Sequence, residues 1–450
     1  MACLLEKLAN CQAEDVFWYT PTAKSVNAAT LSAALLSVSC EKWQGKRIAI
    51  GRMSALEFAA TLVFLDGLAQ AIVLLPAEDD ADSRSARIED AAIDYVLEDK
   101  GLNFSTLLEM SQDSMVDHSN LFHSSKRSIA IETTWLLPTS GTTGTPKLIS
   151  HTCASLTRSM ADRRIASDYV WGSLYSIRRF AGLQVFLQSW ISSAPLILNN
   201  EDSEPTVVLT HLAKLSCNAL SATPSMWRKL AMNPAFDQLQ LKQITLGGEI
   251  VDQAVLDMLK KRFPQARITH IYASTETGVG FSVRDGKSGF PASYLEDEST
   301  KNSIRINNDN HLEFFTSQNL QGKSSEVAQW YDSGDVVHVT GDRVYFLGRA
   351  NGSINVGGNK VMPEEVETVI KELTDVAFVQ VRARKSAMIG SLVEAVIKPA
   401  PGISFDSVLK RKITSHCHGR LDAFKVPAFI VEAEEIALSV SGKILRSIVK

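Results

Sequence analysis

The stretch Leu136-Leu137-Pro138-Thr139-Ser140-Gly141-Thr142-Thr143-Gly144-Thr145-Pro146-Lys147 sets the terms for reading the rest of the chain. An apolar run that reads as a strand delivers the backbone into a segment of small and hydroxyl residues, which closes on one lysine. Gly141 and Gly144 let main-chain N–H groups turn inward toward an anion, and Thr139, Ser140, Thr142, Thr143 and Thr145 add hydroxyl donors. The natural guest is a polyphosphate. A Walker loop needs Gly and Lys adjacent and then Ser or Thr, whereas here Pro146 precedes Lys147 and Leu148 follows. A flexible linker can share this composition, so the surroundings have to decide.

Before the loop, helical and strand patterns alternate. Residues 28–40, 55–68 and 86–91 read as helices, and 47–51, 71–75, 95–97 and 133–137 as strands, with a polar segment at 111–128. Such alternation predicts an α/β layer around a largely parallel sheet. Residues 55–75 are apolar enough to suggest a membrane span. Glu57 and Asp66 lie inside them and Pro76 follows, so they read as a buried helix and a core strand. The loop itself is read between a strand and a helix that starts near Cys153, with strands following at 195–198 and 243–246.

After about residue 300 the texture changes to short strands with polar turns, at 303–306, 312–315, 336–339 and 344–347, which predicts a small β-barrel-like portion. From Asn351 the pattern restarts with Gly-rich turns, a helix opening at Pro363 with Glu364 and Glu365 in its first turn, and strands at 378–382 and 392–397. The expected fold class is therefore multidomain α/β. A large N-terminal body of layered α/β subdomains, residues 1–350, precedes a small α+β domain, residues 352–450.

Of the 450 residues, 45% are hydrophobic and 21% charged, with 25 glycines and 14 prolines, which excludes collagen-like, mucin-like and disordered chains. With 46 basic against 50 acidic residues, the formal charge of −4 supplies no basic field for a nucleic-acid backbone. Small-molecule chemistry is expected, with neither nucleic acid nor membrane as partner. Cys3, Cys11, Cys40, Cys153, Cys217 and Cys417 are scattered without a CxxC pair, and neither end carries a recognisable leader or retention signal, so a reducing, cytoplasmic setting is expected. No GxSxG elbow or HExxH helix anchors a hydrolase reading. His416-Cys417-His418 has no matching second pair and reads as a polar helix or turn rather than a metal site.

Six elements in order decide what the loop is. TSGTTGTPK from Thr139 is followed by Leu246-Gly247-Gly248-Glu249, by Tyr272-Ala273-Ser274-Thr275-Glu276, and by Tyr331-Asp332-Ser333-Gly334-Asp335. Then come Gly348-Arg349-Ala350-Asn351-Gly352, running on through Gly357 and Gly358 to Glu367, and finally Ser441-Gly442-Lys443-Ile444-Leu445-Arg446. Together they resemble the motifs of the adenylate-forming superfamily, which includes acyl- and aryl-CoA synthetases, peptide-synthetase adenylation domains and beetle luciferases. The resemblance covers essentially the whole chain.

That resemblance implies the following roles. Adenylation brings a carboxylate against the α-phosphate of ATP, so the site has to supply positive charge, metal and placement. The nucleotide set comprises Thr139, Ser140, Gly141, Thr142, Thr143, Gly144, Lys147, Gly248, Glu249, Tyr272, Ala273, Ser274, Asp335 and Arg349. Tyr272 offers a flat face to adenine, Thr275 and Glu276 offer oxygen ligands to Mg²⁺, and Asp335 with Arg349 holds the ribose. Lys443 is the expected catalytic cation, acting with Thr275, Glu276 and Arg349. Arg179, Phe180, Gly247 and Gly248 line the substrate pocket. A small-residue hinge at Asn351 lets the C-terminal domain first present Lys443 and then swing, so that Gly357 and Gly358 line a path for the incoming thiol.

Departures from the family pattern narrow the substrate. Arg179 stands where many relatives carry a histidine gate, and the Phe-Asp typical of amino-acid activation is absent, which argues against α-amino acids. Arg178 and Arg179 read first as a solvated surface pair, with recognition of an anionic or polar substrate group as the alternative. The acceptor is coenzyme A or the phosphopantetheine of a separate carrier protein. A non-catalytic nucleotide-binding homologue is the rival of another class, disfavoured by the intact Lys147, Glu276, Asp335 and Lys443.

Overall fold

The computed structural model describes residues 4–77, 79–110, 131–139, 147–160, 168–200, 203–295, 304–316, 329–386, 390–439 and 442–445. They form four sheets with helices packed against them. In the first, the strands Tyr95–Asp99, Arg47–Met53, Ala71–Leu74 and Thr134–Pro138 run parallel in that spatial order, and Leu148–His151 closes one edge antiparallel. Ile48, Ala49, Ile72, Val73 and Leu74 are fully buried. The unbroken apolar run of a strand such as Ala71–Leu74 follows from having both faces covered.

The helix Ala55–Leu65 packs in this core and is buried at every position after Ala55. Ser54 caps it, its Oγ accepting from the N–H of Glu57 at 3.2 Å. The two carboxylates that argued against a membrane span are both inside the protein and both occupied. Glu57 accepts from the N–H groups of Leu102 and Ser105 at 2.8 and 2.7 Å, holding the start of the helix Phe104–Met110. Asp66 accepts from the Leu4 N–H at 2.7 Å and from Trp135 Nε1 at 2.9 Å. No described helix is long and apolar enough to cross a membrane.

An eight-stranded sheet follows, ordered Gly278–Val283, Arg267–Ser274, Gln243–Gly247, Ala219–Ala222, Trp171–Gly172, Leu196–Ile197, Val16–Tyr19 and Ser25–Asn27. It is parallel except for the two terminal hairpins. The β-rich portion is an antiparallel five-stranded sheet among the described residues, ordered Phe290–Pro291, Arg343–Arg349, Gln329–Thr340, His311–Thr316 and Ile304–Ile306. The last sheet pairs Val376–Ser386 with Gly390–Pro399 along their whole length, and the helices Pro363–Ile370 and Ser407–His418 contribute to its apolar core. His416 and His418 lie on that second helix, where His416 faces Glu372 at 2.9 Å and Cys417 is buried.

Two sequence expectations change. The phosphate loop joins two antiparallel strands, Thr134–Pro138 and Leu148–His151, and the helix Cys153–Thr157 begins only after the second. The short Leu-Ile-Ser-His alternation carried this signal, since Ile149 and His151 point inward. Arg178 is not a surface residue. It is 4% exposed, its guanidinium donates to the carbonyls of Gly51 at 3.2 Å and of Met53, and it lies 4.9 Å from the Phe58 ring centroid. Carbonyls at the end of the strand Arg47–Met53 need donors, and Arg178 supplies them.

Candidate active site

The site collects at the carboxyl ends of the strands Gln243–Gly247 and Arg267–Ser274, where open parallel sheets place their ligands. Ser274 and Gly278 pair across the second strand and its partner, so Thr275, Glu276 and Thr277 form the hairpin tip. Ser274 turns its hydroxyl inward, accepting from the Thr277 N–H at 3.1 Å and meeting Thr277 Oγ1 at 3.0 Å. That closes the turn presenting Thr275 and Glu276.

Tyr272 sits beneath this tip. Its ring lies nearly parallel to those of Phe314, Phe281 and Phe346, with centroids 5.0, 5.4 and 5.4 Å away. Offset stacks of this kind contribute about 0.5–1.5 kcal/mol each beyond area burial. They tie the eight-stranded sheet to the antiparallel one. The hydroxyl donates to Asp335 Oδ2. Burial, and then the Asp335 charge, push the phenol well above the usual tyrosine range, so it stays a neutral donor. Arg349 Nε donates to the other oxygen, Asp335 Oδ1, at 3.0 Å. The register places Asp335 directly opposite Arg349 on paired strands. Burial opposes the Arg349 charge, but Asp335, Tyr272 and Glu276 together outweigh it and the pKa is raised.

Lys443 arrives from the other end of the chain. It stands at the base of a turn, where Ser439 N–H donates to the Lys443 carbonyl at 2.7 Å, with Leu438 and Ile444 bridged behind it. The lysine lies against Gly248, where a Cβ would come within 3.2 Å of Lys443 Cε and 3.8 Å of Nζ. Gly248 also has φ +81, a conformation side chains resist, so glycine meets both demands there. Lys443 is exposed. Partial desolvation of its ammonium by the surrounding groups, and then the Arg349 charge, lower its pKa against the pulls of Glu249, Asp335 and Glu276.

Glu249 was expected among the nucleotide contacts. Here its oxygens accept from main-chain donors, Ser225 N–H at 3.0 Å and Ile444 N–H at 2.9 Å. Thr139 is half-buried and its N–H donates to the Lys147 carbonyl at 2.9 Å across the neck of the phosphate loop, with Lys147 exposed. Ser140, Gly141, Thr142, Thr143 and Gly144 lie outside the described residues. Ala273 and Gly247 are half-buried on their strands. Arg179 and Phe180 are half-buried at the start of the helix Phe180–Ser192, and the Phe180 ring centroid lies 6.1 Å from that of His151.

Gly357 and Gly358 form the two-residue turn of an exposed hairpin between Ile354–Val356 and Asn359–Val361, with φ +57 and +92. Such a turn demands positive φ at both positions. Nothing lies within 4 Å of where their Cβ atoms would be, so the turn faces open space. Asn351 is exposed in a single 3₁₀ turn, Ala350–Gly352, directly after Arg349.

His151 is a residue that sequence reasoning missed. It is 3% exposed, and its Nε2 lies 2.8 Å from the Thr275 carbonyl while Nδ1 faces Ser155 Oγ at 3.3 Å. Burial lowers its pKa, so the ring is neutral and the carbonyl assigns its proton to Nε2. The end of the phosphate-loop hairpin is thereby fastened to the tip carrying Thr275 and Glu276. Its position four residues after Lys147, on the inward side of a short strand, was the available signal.

As for metal, no cluster of three or more His, Cys, Asp or Glu side chains among the described residues is arranged to hold an ion. Mg²⁺ needs only one or two protein carboxylates when phosphate and water complete its shell. Glu276 at the hairpin tip fits that requirement, with Thr275 beside it.

The AMP-binding enzyme model matches residues 58–305, and the AMP-binding enzyme C-terminal domain model matches residues 365–443. The chain is similar to surfactin synthase subunit 1 of Bacillus subtilis (strain 168), 27% identical over an alignment of 413 residues, with 79% of this chain and 11% of that protein covered. A 2-succinylbenzoate–CoA ligase of Listeria monocytogenes serotype 4b is 25% identical over 395 residues, covering 82% of this chain and 79% of the ligase. Among solved structures, a benzoate CoA ligase from Burkholderia xenovorans LB400 shares the fold with TM-score 0.75 at 16% identity, covering 98% of each chain.

Proposed function

The chain belongs to the AMP-binding enzyme family, and from that membership we propose that it is an ATP- and Mg²⁺-dependent ligase activating a small carboxylic acid for transfer to a thiol. The acid's carboxylate attacks the α-phosphorus, the bond to the bridging oxygen breaks, and pyrophosphate leaves an acyl-adenylate. The thiolate of coenzyme A then attacks the acyl carbon and AMP departs. Support comes from the similarity to a 2-succinylbenzoate–CoA ligase, an acid–CoA ligase.

One observation carries the reading. Lys443 lies against Gly248 among the charges of Glu249, Glu276, Asp335 and Arg349, although 195 residues separate it from Gly248. A lysine so placed can neutralise the carboxylate and the α-phosphate as they approach, when the charge to be stabilised is greatest. Asp335 and Arg349 position the ribose, and Tyr272 the adenine. Thr275 and Glu276 would hold Mg²⁺, which supplies charge neutralisation on the phosphates. The phosphate loop, from Thr139 to Lys147, would cradle the β- and γ-phosphates. On this reading residues 1–350 form the body and 352–450 a lid hinged at Asn351, which carries Gly357 and Gly358 to the thiol path after adenylation. The enzyme is placed in the cytoplasm on its scattered cysteines.

The test is acid-dependent pyrophosphate release across aryl, short-chain, long-chain and dicarboxylic acids, with and without coenzyme A. Release with at least one acid, followed by thioester formation, is expected. Release without thioester redirects the acceptor to a carrier-protein phosphopantetheine. No release with any acid overturns the reading in favour of a nucleotide-binding homologue.

A further inference from the structure

The segment bearing Lys443 is held on the body by hydrogen bonds to its main chain. Thr223 Oγ1 donates to the Gly442 carbonyl at 2.5 Å, and Glu249 Oε1 accepts from the Ile444 N–H at 2.9 Å. The two contacts flank the lysine and grip one acceptor and one donor. Each gripping group is itself braced from behind. Thr223 accepts from the Met226 N–H at 3.1 Å as the N-cap of the helix Pro224–Ala231, and Glu249 Oε2 accepts from Ser225 N–H at 3.0 Å on the first turn of the same helix. Thr223 is 1% exposed, so its geometry leaves little freedom. Close by, the buried Tyr175 phenol is pushed well above its ordinary range by burial and then by the Glu249 charge, which keeps a neutral group beside the carboxylate.

We propose that Thr223 and Glu249 form a latch on either side of Lys443, positioning the lysine for adenylation and playing no part in the transfer to thiol. The proposal rests on the ligase reading for its catalytic consequence. Its structural content stands apart from that reading, because the latch is a pair of bonds to named main-chain atoms. Neither residue is a catalytic residue here: each is a positioning residue bonded to the backbone of the segment that carries Lys443, and the Glu249 charge also favours the charged form of that lysine. Glu249 is thereby moved from the nucleotide contacts to the docking of the C-terminal domain.

Two measurements on the full chain test it. The first is hydrogen exchange of the Ile444 amide in the parent protein, Glu249→Ala, Glu249→Asp, Thr223→Val and Thr223→Ser. Exchange is expected to rise about tenfold or more in Glu249→Ala, as befits loss of a charge-assisted hydrogen bond. It should rise less in Thr223→Val, and Thr223→Ser should restore the parent rate because it keeps the hydroxyl. The second measurement divides the reaction. Single-turnover acyl-adenylate formation should slow about tenfold in Glu249→Ala, whereas thioester formation from supplied acyl-adenylate should match the parent.

Unchanged Ile444 exchange in both Glu249→Ala and Thr223→Val would overturn the latch, as would equal slowing of both half-reactions. Thermal melting of each variant separates loss of the helix cap from loss of the latch, since a cap defect alone leaves Thr223→Val destabilised with parent exchange at Ile444. Should the parent form no acyl-adenylate from any acid, the ligase reading fails, and the exchange result still decides the latch.

Discussion

Two corners of one site are built in different ways. Asp335, Arg349 and Tyr272 stand on paired strands of the body, each oxygen of the carboxylate is engaged, and three phenylalanine rings fix the tyrosine. Lys443 stands on a turn joined to the body by two hydrogen bonds to its main chain. On the proposed reading the first corner takes the ribose and is preorganised whether or not the C-terminal segment is docked. The second supplies a charge that depends on that docking. Such a division would suit two sequential transition states, with nucleotide binding persisting through both and the cation needed in the first.

The sharpest way to break the contrast is Lys443→Ala. Removing one preorganised charge from a developing transition state costs about 10²–10³ in rate. Acyl-adenylate formation, followed by pyrophosphate release, should fall by that factor, while thioester formation from supplied acyl-adenylate should be preserved. Equal loss of both would mean that the lysine corner is as permanent a part of the machinery as the ribose corner. Asp335→Asn addresses the fixed side and should do the opposite. Loss of hydrogen bonds to a charged group amounts to about 1.5–3 kcal/mol, or roughly 10–100-fold. That loss should appear as weaker ATP binding and should affect both half-reactions, because AMP stays bound through each.

The two corners also differed in how legible they were in the sequence. Asp335 and Arg349 were joined in the sequence only through the resemblance; their facing positions come from strand register, across a hairpin that turns at Gly341. Lys443 was readable as a motif, but its partners were not. Both contacts that hold the turn end on main-chain atoms, and a carbonyl or an N–H carries no residue identity. The bonds of Glu249 were hidden for the same reason, since nothing in its neighbours announces that the Ser225 and Ile444 N–H groups donate to it. Arg178 failed differently. A basic pair is usually solvated, and only the fold shows that the strand ending at Met53 leaves carbonyls for it to satisfy. The α/β alternation and the separate C-terminal unit were legible because hydrophobic period and turn chemistry are themselves local properties. The strand Leu148–His151 was lost beside a louder loop, and with it His151.

The smallest expected effect couples the two corners through charge. Crowding around Lys443, followed by the charge of Arg349, lowers the lysine pKa, while Glu249, Asp335 and Glu276 pull the other way. The charged ammonium is the active form, so adenylation is fully supported at pH values below that pKa and is lost as pH rises through it. In kcat/KM for acyl-adenylate formation, which reports the free enzyme, the alkaline limb should therefore lie below the ordinary lysine value near 10.5. Arg349→Gln removes the second cause and leaves the first. Its limb should move up toward the ordinary value even as ATP binding weakens, because the like charge is gone and desolvation remains. A limb that stays where the parent has it would separate the corners electrostatically, leaving desolvation as the sole cause. A limb that moves down would show that Arg349 acts on Lys443 mainly by holding Asp335 in place, which would make the fixed corner the support of the docked one rather than its electrostatic opponent.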